Sequence, residues 1–95
     1  MAWVRHGTLT ADTVATVTVP DRSFSSIEVM NRDGASEIYF LLNRPNESAD
    51  PTVGGDDCDV LPGATSTLEI DAPDPGPIAV KLISHGTPKY SVRAE

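Results

Sequence analysis

The chain has 95 residues and a formal charge of −7, from 14 Asp and Glu against 7 Lys and Arg. That length supports one hydrophobic core, because a second would be too small for burial to offset chain entropy. The acidic surplus repels phosphate backbones and anionic lipid, and no Lys/Arg cluster with interleaved aromatics reverses it locally, so neither nucleic acid nor membrane is an expected partner.

No apolar run approaches the roughly 20 residues that span a bilayer, and the opening MAWVRHGTLTADT lacks the apolar segment of a secretory signal. The lone Cys58 cannot form an intrachain disulfide, which fits folding in a reducing cytoplasm. Its neighbours Asp57 and Asp59 oppose the thiolate, so a reactive thiol is not expected there.

In chain order, residues 1–10 read as an amino-terminal arm or a short first strand anchored by Trp3, and residues 11–95 as the single domain. Trp suits either its own core or the core of an interface. The run TVATVTV from Thr13 to Val19 is rich in β-branched residues and predicts a strand with Ala15, Val17 and Val19 on one face, ended by Pro20-Asp21.

The strongest signal is SIEVMNRDGASEIYFLLN, from Ser26 to Asn43. Two period-2 runs flank Asp33-Gly34, a dipeptide that takes the positive φ of a tight turn at low cost, and this predicts a β-hairpin. The second arm is apolar on both faces from Tyr39 to Leu42. One face therefore meets a core, and the other a second layer or a partner.

Arg44 to Asp57, RPNESADPTVGGDD, predicts a long loop of the kind that carries contacts. Short strands follow at Cys58 to Leu61 and Ser66 to Ile70, separated by Pro62-Gly63. Asp71 to Pro77, DAPDPGP, predicts a stiff link crossing between sheets. Ile78 to Ser84 alternates again. After the turn His85-Gly86-Thr87-Pro88, the run from Lys89 to Arg93 returns with Tyr90 and Val92 inward. No stretch shows helical periodicity, so the expected fold is all-β, a two-layer antiparallel sandwich or small barrel of about seven strands.

Candidate chemistry is sparse. Asp50, Asp56, Asp57 and Asp59 surround Gly54-Gly55, but their spacing matches no calcium loop and reads as a solvated acidic segment. His6 and His85 both precede glycine, lack metal-type spacing, and read as turn residues. No nucleophile elbow, carboxylate pair or phosphate loop is present, so neither a catalytic site nor a cofactor is expected. Asn46-Glu47-Ser48 fits a glycosylation acceptor only in a secreted chain.

The segments IEVMNRDGASEIYF, PTVGGDDCDVLPG and VKLISHGTPKYSV together resemble small virion structural proteins of tailed bacteriophages of actinobacteria, over roughly residues 27–93. The resemblance implies a capsid decoration, or cement, protein that docks in many copies on the outer shell and ties neighbouring major-capsid subunits together. Its expected location is the virion surface after synthesis in the host cytoplasm. It implies the major capsid protein and further copies of the same chain as partners, in a homo-oligomeric arrangement on the particle. A tail-tip or fibre carbohydrate- or receptor-binding module, or a head–tail connector or tail component, is the alternative. The resemblance transfers no site residues. From the residues themselves, Trp3, Val4 and Leu9 of the arm and Arg44, Asn46 and Val53 of the long loop are the candidate partner contacts.

Overall fold

A computed structural model describes residues 3–20, 26–32, 36–44, 47–55, 58–61, 66–71 and 77–95, with the backbone alone for 66–71. Eight strands are present: β1 Trp3–Thr8, β2 Ala15–Val19, β3 Ser26–Asn31, β4 Ile38–Asn43, β5 Asp59–Leu61, β6 Ser66–Asp71, β7 Ile78–Ser84 and β8 Lys89–Ala94. Seven fall where alternation predicts them. The eighth, β1, resolves the choice between arm and strand in favour of a strand over Trp3–Thr8, which belongs to the sandwich.

One four-stranded sheet has the order β1-β8-β3-β6 and the other β2-β7-β4-β5. Every ladder is antiparallel. The pairings β1·β8, β2·β7, β3·β6 and β4·β5 nest one inside the next, as if a single long hairpin bent back around the 44–58 loop had been rolled up. Lateral pairs β3·β8 and β4·β7 close each sheet. This is the eight-stranded jelly roll, a double-sheet solution for antiparallel chains.

That topology corrects the central expectation. β3 and β4 do not form a hairpin: β3 lies between β8 and β6, and β4 between β7 and β5, in opposite sheets. Local turn chemistry could not decide this, because β3 takes β8 and β6 as neighbours and β4 takes β7 and β5, none of them the strand across the Asp33-Gly34 turn. Asp33 and Gly34 lie outside the described residues, but their flanks show a crossover. The Asn31 side chain, fully buried, donates from Nδ2 to the Ser36 carbonyl at 2.8 Å, and the Arg32 N–H donates to the Lys89 carbonyl at 2.8 Å. β6, which ends at Asp71, and β7 lie in different sheets, so the connection between them crosses from one to the other, while residues 72–76 of the predicted link lie outside the described residues.

The core lies between the sheets. Ile27 and Val29 of β3 and Val92 of β8 face Phe40 of β4 and Val80 and Leu82 of β7, all at 1% exposure or less. Tyr90 also points inward, and its ring lies over Gly7 of β1, where a Cβ would come within 2.5 Å of the phenol oxygen.

Leu9 corrects another expectation. At 2% exposure it belongs to this core and offers nothing to a partner. The β1·β8 register continues one residue past β1, where the Leu9 N–H donates to the Pro88 carbonyl at 2.9 Å and the side chain falls on the inward face with that of Trp3.

Candidate interaction surface

The outer face of the second sheet explains the doubly apolar β4. Register places Leu41 beside Lys81, Tyr39 between Val60 and Ile83, and Asn43 beside Ala79 on that face. The loop after β4 folds over part of it. Asn43 Nδ2 donates to the Ala49 carbonyl at 2.8 Å, and Lys81 Nζ pairs with Asp50 Oδ1 at 2.6 Å. The protein's own loop thus supplies part of the second layer anticipated for β4. Val60, 44% exposed, remains uncovered at the rim.

The predicted contact residues divide between two places. Val4, 41% exposed, stands on the outer face of the first sheet, where register sets it beside Arg93. Trp3 is half-buried against the core, with the Arg5 guanidinium 4.9 Å from its ring centroid, close enough for a cation–π contact. Val53, 40% exposed, tops the turn before Gly54, whose φ of +75° suits glycine. That turn belongs to the loop over the second sheet. Arg44 is exposed at the loop's start, its N–H donating to Glu47 Oε1 at 2.8 Å and its carbonyl accepting from the Glu47 N–H at 2.9 Å. Asn46 lies outside the described residues. Trp3 and Val4 therefore share strand β1 but lie on its opposite faces, and Arg44 and Val53 belong to the loop of the other layer.

β1 and β2 are edge strands of different sheets, and an open cleft of about 260 Å³ lies between them, lined by Arg5, His6, Thr16, Val17, Thr18 and Tyr90. The Leu9-to-Pro88 hydrogen bond sets the phase of the β1·β8 ladder. Odd-numbered residues of β1 turn their backbone polar groups toward β8, whereas Val4, His6 and Thr8 turn theirs toward the open edge. Arg5 confirms that phase, since its Nη1 donates to the outward Val4 carbonyl at 3.0 Å.

His6 is a strand residue, not the turn residue its Gly neighbour suggested. Its Nδ1 lies 2.6 Å from Ser91 Oγ on the outer face of the first sheet. That pair borders a shallow depression of about 210 Å³ that also touches Val4, Glu28, Met30, Arg32 and Arg93. A histidine on a serine resembles a base on a nucleophile, but among the described residues no carboxylate orients the far ring nitrogen, so the contact reads as a clasp between β1 and β8. His85 does sit in a bend, 3.1 Å from Asp12 Oδ1. Among the described residues no group of three or more His, Cys, Asp or Glu could hold a metal ion, and Asp50 of the acidic loop is engaged by Lys81. The Cys58 thiol lies near the carbonyls of Gly55 and Thr52, at 3.5 and 3.6 Å.

Fold and surface together define a small jelly-roll protein with β1 at the edge of its first sheet. No protein-family model and no curated protein matches the chain. Among solved structures it is similar to the crystal structure of Yersinia pseudotuberculosis-derived mitogen, with a TM-score of 0.59 and 10% sequence identity over 99% of this chain and 84% of that one. At that identity the likeness is one of fold.

Proposed function

We propose that this chain is a bacteriophage capsid decoration protein that binds the outer shell in many copies and stabilises contacts between major-capsid subunits. The observation that carries this reading is the open β1 edge, with half-buried Trp3 and exposed Val4 on a strand whose outward backbone groups await a neighbour. The sequence resemblance to small phage virion proteins points the same way, and jelly rolls recur in viral capsid domains, a fold-level analogy. Repetition on a symmetric shell lets individually weak contacts sum to stable attachment.

A carbohydrate-binding tail module would need aromatic faces open for stacking on sugar. Trp3 has one side on the core and Arg5 over its ring, which ranks that alternative second. The test is to add purified protein to shells from phage lacking its gene and count the bound copies by quantitative mass spectrometry. Saturation at a stoichiometry matching the shell's subunit lattice, with slower heat release of DNA, is the expected result. A handful of copies per particle, or no binding, would overturn it.

A further inference from the structure

We infer that β1 is an acceptor for strand addition, extending the first sheet by one strand donated by a heterologous partner, with a donor carboxylate facing Arg5. The partner's identity as capsid protein rests on the function proposed above; the acceptor role of β1 does not.

The β1·β8 register runs unbroken from Trp3–Ala94 to Thr8–Lys89, with no bulge, and the strand contains no proline or lysine; Arg5 is its one charge, and it turns away a strand that cannot answer that charge. The outward N–H and C=O groups of Val4, His6 and Thr8 are spaced as a ladder template, and among the described residues only the Val4 carbonyl has a partner, Arg5 Nη1. Extended segments recognise such edges through backbone hydrogen bonds, with side chains setting specificity.

Charge decides what kind of strand fits. In a protein of net −7, strands β1, β2 and β8 contain no Asp or Glu; of their cations Arg93 is paired with Glu95, and Arg5 is the one on the open edge. Arg5 stands at the cleft mouth with Trp3 and the Val4 carbonyl as neighbours, and no carboxylate pairs with it among the described residues. A donor carboxylate there would complete a charge-assisted pair. A second copy of β1 would not supply one. Antiparallel self-pairing that keeps the two faces matched sets Arg5 against Arg5 when centred there. Centred on His6, it sets His6 against His6 and Arg5 against Gly7.

Three variants separate backbone from side chain. His6→Pro removes an outward N–H while leaving the β8 ladder intact, as proline on an edge strand allows. His6→Ala removes the imidazole and keeps the N–H. Arg5→Glu keeps the edge and reverses the charge. Each is compared by thermal unfolding for retained fold, then titrated onto shells from phage lacking the gene, and by NMR against the blocked peptides Thr-Val-Glu-Val-Thr and Thr-Val-Lys-Val-Thr.

His6→Pro and Arg5→Glu are each expected to lose roughly tenfold or more in shell affinity, the scale of one buried hydrogen bond or ion pair, and His6→Ala, which gives up only the clasp to Ser91, to lose clearly less than His6→Pro. Hydrogen exchange on shells is expected to slow at the Val4, His6 and Thr8 amides, and the Glu peptide to perturb those amides more than the Lys peptide. Shell binding with no protection of those amides, equal loss in His6→Ala and His6→Pro, or a β1-mediated dimer of the free protein would overturn the acceptor role. If no shell binding occurs at all, the decoration reading falls, and the peptides alone decide: perturbation at β1 favouring Glu upholds the inference, and its absence ends it.

Discussion

At the scale of single residues, two positions carry constraints that their chemical type alone does not announce. Gly7 sits in a strand, where glycine is ordinarily a weakness, but its missing side chain is the space the Tyr90 ring occupies. Gly7→Ala places a methyl within 2.8 Å of the phenol oxygen and two ring carbons of a 9%-exposed tyrosine, so the ring or β1 must shift. The expected cost is about 1–3 kcal/mol, read as a lower urea midpoint with unchanged slope. Asn31 is the second. It is a fully buried polar residue whose amide satisfies the Ser36 carbonyl at the crossover from β3 to β4. Asn31→Ala leaves that acceptor unpaired, an expected loss of about 1–3 kcal/mol by the same measurement. In the sequence, Asn31 looked like the approach to a tight turn. Its neighbours Met30 and Arg32 gave no sign that the chain was about to change sheets.

At the scale of elements, the loop over the second sheet is held by two contacts of unequal weight. The Lys81–Asp50 pair is short, but the Asp50 side chain is 60% exposed, and such pairs contribute about 0–1 kcal/mol. Asn43, 3% exposed, holds the Ala49 carbonyl from inside and should matter more. Lys81→Met is therefore expected to leave protease sensitivity in residues 47–55 nearly unchanged, whereas Asn43→Ala should expose that segment to cleavage at lower protease concentration. The opposite order would show that the ion pair pins the loop. The sequence marked β4 as having two apolar faces and left open whether a layer or a partner met the second. The covering segment follows β4 directly, with Ala49 six residues past Asn43, but its place over the sheet is defined only once β4 and β7 pair and bring Lys81 to Asp50, so no local window could give it.

At the scale of the whole molecule, the rolled pairing joins the chain's first strand to its last and its second to its second-last. Such long-range ladders must close large loops before any pairing offsets the entropy, so refolding is expected on the milliseconds-to-seconds scale typical of β-sandwiches. Stopped-flow fluorescence of Trp3 would measure it, and microsecond folding would contradict the nested topology. The same roll sends β1 to the rim of one sheet and β2 to the rim of the other, leaving the cleft and the open edge side by side. Of the contact candidates offered by the first strand, the structure leaves Val4 exposed and Trp3 half-buried. Leu9 was not distinguishable from them, because its inward place depends on the register that continues to Pro88, almost 80 residues away.

Alternation of side chains along the backbone was enough to establish that this is a strand protein, to place most strands to within a residue or two, and to name the inward residues of β2, β7 and β8. These are properties of a repeat of two, and they are written locally. Which strands neighbour one another, that β3 and β4 part into separate sheets, and which edge remains open were decided only by the tertiary structure. Backbone hydrogen bonds are chemically alike at every strand, so their partners are chosen by how all the apolar faces can be buried together.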